Sequence, residues 1–133
     1  MIVLDTHVVL WLAAGSDRLG RGARRAIDSN LRDDEVIAPA VVFWEVAMQV
    51  AKGRVKLDEP TAAFRRRTLG LGVREHPLDG TVAIAAAELA GLPGDPADRF
   101  IAATAMSLGA PLLTADGGLL AWRGPVKVQD AAR

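Results

Sequence analysis

The sequence contains no cysteine, which excludes disulfide bonds, thiolate chemistry and cysteine-bound zinc. No apolar run approaches the ~18–20 residues of a membrane-spanning helix. The N-terminal apolar stretch follows no basic segment and is interrupted by Asp5 and His7, so we expect no secretory signal. The formal net charge is zero, so nucleic acid would have to be bound by local arginines or through a metal. We therefore expect a cytoplasmic protein.

Length and composition limit the possible folds. We expect the 133 residues, 1–133, to form one domain with a single hydrophobic core. Half of the residues are hydrophobic and 24% are charged, which is ordinary for a globular protein and argues against disorder.

Short apolar segments alternate with longer helical patterns along the whole chain. This alternation predicts βα units, and hence a three-layer α/β/α sandwich with a central parallel sheet of about five strands. Thr6 is expected to cap the first helix, and Gly94 and Asp95 to introduce the last one. The strands are expected at residues 2–4, 36–38, 73–76, 112–114 and 126–128, and the helices at 7–14, 18–31, 39–52, 60–69, 81–90 and 97–108.

The first strand ends on a carboxylate. Residues 2–4 form a continuous apolar run, which is typical of a strand that is buried on both faces of a parallel sheet. Asp5 follows directly and should therefore lie at the carboxyl edge of the sheet, where open α/β folds bind ligands. An acid that closes a buried strand needs a partner.

Three further acids stand out by position. Glu45 and Asp116 are expected near the same edge, whereas Asp98 reaches it only if its helix starts there. Glu45 lies in the helix after the second strand, Asp98 in the first turn of the helix before the fourth strand, and Asp116 just after that strand. Carboxylates that converge raise one another's pKa unless a cation neutralises them. Oxygen ligands without cysteine or histidine clusters favour Mg²⁺ or Mn²⁺. Such an ion can activate a water for hydrolysis of a phosphodiester.

Each acid also has a purely structural interpretation. Asp95, followed by Pro96, is favoured as a helix cap rather than a ligand. Asp98 would also be stabilised by the positive end of its helix, and Asp116 would suit a turn. The convergence of the acids at one edge, rather than any single one, is what indicates a site.

Four segments occur in a familiar order: Ile2-Val3-Leu4-Asp5-Thr6-His7, Phe43-Trp44-Glu45-Val46-Ala47, Asp95 to Ala105, and Leu112-Leu113-Thr114-Ala115-Asp116. Together they resemble the PIN-domain ribonucleases, and most closely the VapC toxins of bacterial type II toxin–antitoxin systems. The resemblance covers essentially the whole chain.

The resemblance implies an endoribonuclease dependent on Mg²⁺ or Mn²⁺, in which Asp5, Glu45, Asp98 and Asp116 match the acidic quartet. Asp5, Asp98 and Asp116 are the implied metal ligands. It also implies an RNA substrate, a cognate VapB-like antitoxin and a homodimer. Residues in candidate supporting roles are Thr114 and Thr6 through their hydroxyls, Asp95 as a fifth acid, and Arg99 as a partner for a carboxylate or phosphate.

Two other classes remain open at this point. One is a non-catalytic module of the same fold that binds RNA or antitoxin, in which the acids are structural. The other is a different Mg²⁺-dependent phosphoryl-transfer α/β protein, such as a receiver domain or an aspartyl-phosphate hydrolase. The hydrolase pattern requires a second acid two residues after Asp5, where this sequence has His7.

Overall fold

The computed structural model describes residues 1–93 and 95–133. The expected contribution of Gly94 to the start of a helix lies outside these residues. Within them the chain forms one sheet of five parallel strands. The strands are β1 (Ile2–Leu4), β2 (Val36–Pro39), β3 (Arg74–His76), β4 (Leu112–Thr114) and β5 (Val128–Asp130).

The strand order, β3-β2-β1-β4-β5, reverses direction at the centre of the sheet. Val3 of β1 pairs with Ile37 of β2 on one side and with Leu112 of β4 on the other. Right-handed crossovers that leave a central strand in opposite directions place helices on both faces of the sheet. The predicted α/β/α fold is therefore confirmed, and the reversal between β1 and β4 creates the crevice where such sheets bind ligands.

Seven helices connect the strands in the described part of the chain. None of them is both long enough and apolar enough to cross a membrane. They are α1 (Thr6–Ala14), α2 (Arg21–Arg32), α3 (Ala40–Ala51), α4 (Thr61–Gly70), α5 (Gly80–Glu88), α6 (Pro96–Leu108) and α7 (Gly117–Ala121).

The core surrounds β1 and β4, the adjacent strands between which the strand order reverses. Every residue of these two strands is buried. Helix α6 packs against β1 and β2 and buries Ile101 together with a row of small residues around it. Since burial of a Val, Leu or Ile side chain contributes roughly 1.5–3 kcal/mol, this packing fixes the positions of the strand ends and of the first turn of α6.

Two predicted helix starts were wrong. The cap of α1 is Asp5, whose carboxylate accepts from the Thr6 N–H, and Thr6 is the first helical residue. Helix α2 starts at Arg21 rather than at residue 18. The preceding segment forms a turn instead, because the Ser16 hydroxyl accepts from the Arg18 N–H and Leu19 is buried in the core.

The last strand and the last helix also differ from expectation. Strand β5 covers Val128–Asp130 rather than 126–128, because its register is set by pairing with β4. Helix α7, which follows Asp116, was not predicted. Its five residues contain Gly117 and Gly118, a composition that favours a turn over a helix.

Candidate active site

The carboxyl edge of the sheet carries a small acidic cavity of about 150 Å³. It opens at the reversal between β1 and β4. Asp5 directly follows β1, Asp116 lies two residues after the end of β4, and the others come from α3 and from the start of α6. The acids that line it are Asp5, Glu45, Asp95, Asp98 and Asp116, and Thr6, His7 and Gln49 also contribute to the wall. The structure thus brings the four predicted acids and the possible fifth to one place.

Three of these acids also cap the helices that begin at the cavity. Asp5 accepts from the Thr6 N–H at 2.7 Å, Asp95 from the Ala97 N–H at 3.0 Å, and Asp116 from the Leu119 N–H at 2.9 Å. The N-termini of α1, α6 and α7 therefore carry their partial positive charges to this edge. Since each carboxylate oxygen has two lone pairs, a capping acid still keeps acceptor capacity for a ligand.

Asp5 is the most deeply buried acid of the cavity, with only 3% of its surface exposed. Its second oxygen accepts a hydrogen bond of 2.5 Å from the hydroxyl of Thr114, at the end of β4. Burial raises the pKa of Asp5, and the hydrogen bonds from Thr114 and Thr6 offset only part of that rise. Thr114 also accepts from the Asp116 N–H at 3.0 Å, so one hydroxyl links the acids at both strand ends.

Asp98 shows the electrostatic cost of this arrangement. Burial, followed by repulsion from Asp5, Asp95, Asp116 and Glu45, raises the pKa of Asp98 to about 7. Burial and repulsion from Asp5 and Asp95 likewise raise the pKa of Glu45. Without a cation, the cavity cannot hold all of its carboxylates ionised at neutral pH without strain.

Thr6 presents a buried hydroxyl to this cavity. The hydroxyl makes no hydrogen bond to any residue that the structure describes. It nevertheless lies near enough to Glu45 to offset part of the rise in the pKa of that carboxyl. A buried hydroxyl without a fixed partner is destabilising unless water or a ligand satisfies it.

The donors of the cavity suit a hard divalent cation. They are carboxylate and hydroxyl oxygens, which Mg²⁺ and Mn²⁺ prefer. A bound cation would also lower the pKa values of Asp5, Glu45 and Asp98, which are raised in its absence. In residues 1–93 and 95–133, no three acidic or histidine side chains already form a closed metal-binding group. Binding therefore requires carboxylates to turn towards the ion or to reach it through water.

Comparison with known proteins agrees with this geometry. Residues 2–122 match the PIN domain family. The chain belongs to this family. It is 35% identical over 125 residues to ribonuclease VapC22 of Mycobacterium tuberculosis, and the match covers 93% of each chain. The resemblance inferred from the sequence motifs is confirmed.

Solved structures share the fold of this PIN domain. A chain of VapBC2 from Rickettsia felis, in a crystal with a fragment of promoter DNA, is similar with a TM-score of 0.71 over 98% of both chains, at 16% identity. A chain of FitAcB from Neisseria gonorrhoeae is similar with a TM-score of 0.64 over 96% of both chains, at 27% identity.

The structure places Arg99 away from the acids. Its guanidinium donates to the carbonyl oxygens of Ala86, Ala87, Leu89 and Leu92, at distances from 2.6 to 3.3 Å. Helix α5 ends in an extended residue, Leu89, and no backbone N–H in the described part of the chain caps its last turn. Arg99 supplies donors to these carbonyls instead. This geometry favours a structural role for Arg99 in this PIN domain over the expected pairing with a carboxylate or phosphate.

Two side chains of the cavity wall were not selected from the sequence. Gln49 lies four residues after Glu45 on α3, so both face the same side of the helix. His7 is exposed and also lines the cavity. Helical spacing from a known acid would have identified Gln49.

Proposed function

We propose that this PIN domain is a metal-dependent endoribonuclease that acts as the toxin of a toxin–antitoxin pair. The observation that carries the proposal is the convergence of Asp5, Glu45, Asp98 and Asp116 on one cavity, where repulsion from the other three contributes to the raised pKa of Asp98. The name of the M. tuberculosis relative, a ribonuclease, supports the activity. The VapBC complex of R. felis, which has the same fold, supports the toxin assignment.

Asp5, Asp98 and Asp116 are proposed to hold one divalent cation, Mg²⁺ or alternatively Mn²⁺. When bound, the ion supplies Lewis-acid chemistry, which makes water more acidic and offsets the charge that develops on a phosphate. Thr114 orients Asp5 for this role through its hydrogen bond to that carboxylate. Asp95 caps α6 and adds negative charge beside Asp98, and Thr6 offers its free hydroxyl to water or substrate.

Glu45 is proposed to accept the proton from the attacking water. Its pKa is raised by half-burial and by neighbouring acids, and a general base works best when its pKa approaches the ambient pH. The water oxygen then attacks phosphorus, and the bond to the ribose 3′ oxygen breaks. The leaving oxygen takes up a proton from solvent, so the products carry a 5′-phosphate and a 3′-hydroxyl.

The expected partners follow from the same assignment. The whole of residues 1–133 is proposed to act as one nuclease domain in the cytoplasm, on an RNA substrate, and to be neutralised by a VapB-like antitoxin. A homodimer is proposed to form through an apolar patch next to the cavity, whose concave part has a volume of about 490 Å³. Trp44 and Leu78 of this patch are 53% and 44% exposed, which is unusual for a surface that remains in water.

The activity is tested with Asp5→Asn and Asp98→Asn, and with Asp28→Asn, an exposed acid of α2, as a matched control. Purified variants are incubated with single-stranded RNA and Mg²⁺ or Mn²⁺, and the RNA ends are sequenced. We expect the two site variants to lose about 100-fold or more in cleavage rate, while their circular dichroism matches that of the wild type.

Full cleavage by either site variant would contradict the assignment of the acids. An inactive wild type that still binds RNA would favour the non-catalytic binding module instead.

A further inference from the structure

A second groove adjoins the acidic cavity. It has a volume of about 340 Å³ and shares Leu10 and Val55 with the cavity, so the two are continuous. Helix α1 forms a wall of both: His7 faces the cavity, Leu10 lies at the junction, and Trp11 lines the groove. A chain that passes through the cavity can therefore continue into the groove along α1.

The charge of the groove is opposite to that of the cavity. Its lining includes three cations, Arg18, Lys56 and Arg67, and no carboxylate. Arg67 is already held by Glu59 and by the Ala13 carbonyl. Arg18 and Lys56 are exposed and form no ion pair with the residues that the structure describes.

A turn brings a further cation to the same place. After α3 the chain folds back, so that the N–H groups of Arg54 and Val55 both donate to the carbonyl of Gln49, at 2.9 and 3.3 Å. Because Gln49 and Val55 both line the acidic cavity, Arg54 stands beside its rim. Arg54 is exposed and has no ion pair in the described part of the chain.

A polyanion such as RNA gains little binding affinity from the acidic cavity itself. A bound divalent cation would offset repulsion only near the phosphate that reacts, so the affinity for the neighbouring phosphates must come from nearby Lys and Arg. Arg18 and Lys56 of the groove and Arg54 of the turn are free to contribute, since they form no ion pair within residues 1–93 and 95–133.

We propose that this basic groove binds the single-stranded RNA backbone next to the scissile phosphate, with Arg18, Arg54 and Lys56 on phosphates. Trp11, partly buried along the same wall, presents its ring where a base can stack. The inference rests on the proposed ribonuclease activity, and adds the path that the substrate takes. Continuity with the cavity favours RNA over an acidic protein segment as the occupant.

The test compares two triple variants of equal charge change. The groove variant carries Arg18→Gln, Arg54→Gln and Lys56→Gln. The matched control carries Arg21→Gln, Arg25→Gln and Arg32→Gln on α2, whose side chains are exposed and line neither the cavity nor the groove. Cleavage of a short fluorescein-labelled single-stranded RNA is followed over a range of salt concentrations, and folding is checked by circular dichroism.

The groove variant is expected to raise KM roughly tenfold near physiological ionic strength and to leave kcat within about twofold. The slope of log(kcat/KM) against log[salt] should become shallower by about 2, since each lost phosphate contact on a single strand removes about 0.7. The control should match the wild type in both.

If the groove variant and the control had the same KM and the same salt dependence of kcat/KM, the proposal would be overturned. A protein ligand would then be the better candidate for the groove. An inactive wild type would instead refute the ribonuclease assignment, so the two failures are distinguishable. A groove variant that loses kcat with KM unchanged would also count against a role in substrate binding.

Discussion

The hydroxyl of Thr114 donates a hydrogen bond to Oδ2 of Asp5, a residue 109 positions away in the sequence. Because Thr114 ends β4 and Asp5 follows β1, this bond crosses the point where the strand order reverses. It fixes the rotamer of the most buried acid of the cavity and satisfies an oxygen that solvent cannot reach.

Replacement of Thr114 by Val should therefore impair both stability and activity. The loss of one donor to a buried carboxylate is expected to cost about 1–3 kcal/mol in the free energy of unfolding. Loss of the group that orients a metal ligand is expected to lower cleavage about 10- to 100-fold. Chemical denaturation and the RNA cleavage assay measure the two effects.

Thr114→Ser keeps the hydroxyl and should retain most of the activity. Thr68→Val is the matched control, because Thr68 is also buried and its hydroxyl donates to the Phe64 carbonyl within α4, away from the acids. Thr68→Val should leave the cleavage rate unchanged. Loss of activity in both valine variants alike would contradict an orienting role for Thr114.

The raised pKa of Asp98 predicts how the stability of the metal-free protein depends on pH. Asp98 binds its proton more tightly in the folded state, where its pKa is about 7, than in the unfolded chain, where it is 3.8. This carboxyl therefore stabilises the fold fully below pH ~4, and the stabilisation is lost as the pH rises through about 7. The Tm of metal-free protein should fall across that window.

Asp98→Asn should flatten this dependence and raise the Tm of the metal-free protein at neutral pH, since it removes one of the repelling charges. Asp28→Asn, on the exposed face of α2, should leave the profile as it is. A wild-type Tm that is constant or rises between pH ~4 and ~7, with Asp98→Asn no more stable than the wild type, would contradict the repulsion.

Addition of a divalent cation should stabilise the protein through the same carboxylates. At a concentration of about 100 times its Kd, Mg²⁺ or Mn²⁺ should raise the free energy of unfolding by about 2.7 kcal/mol. The gain should be larger above the pKa of Asp98 than well below it, because ligands must lose their protons before they bind metal. Differential scanning fluorimetry at the two pH values gives the comparison.

The corresponding control is Asp98→Asn, in which the metal-induced rise in Tm should shrink markedly. An equal rise in the wild type and in this variant would show that the ion binds elsewhere on the protein.

Arg99 is predicted to support the fold rather than to contact the substrate. Arg99→Met would leave four carbonyls, in the last turn of α5 and in the segment after it, without their donor, which is expected to cost about 2–4 kcal/mol in the free energy of unfolding. The KM for RNA should stay close to that of the wild type. Urea unfolding and steady-state kinetics at low temperature measure the two quantities.

Arg65→Gln is a suitable comparison for Arg99→Met. Arg65 also forms several hydrogen bonds, but its partner is Glu75 and both lie at the surface, so the loss of stability should be smaller. If Arg99→Met raised KM and made its dependence on salt concentration shallower, a direct phosphate contact would have to replace the structural role.

Local features of the sequence predicted much of the fold. The apolar run 2–4 and the cap at Asp95 before Pro96 act over a few residues, and the structure shows both where they were expected. The start of α2 and the register of β5 were misplaced, because they depend on Leu19 entering the core and on β5 pairing with β4. Such tertiary contacts leave no periodic pattern in the sequence.

The sequence by itself determined which residues are acids and that Asp5 and Asp116 follow strands, since a buried strand that ends in an acid can be recognised from a few neighbouring residues. Only the tertiary structure decided that Asp98 joins them, that Arg99 turns to the end of α5, and that Arg54 and Lys56 lie beside the cavity. Those positions depend on strand order and helix packing, which are fixed by contacts between residues far apart in the chain.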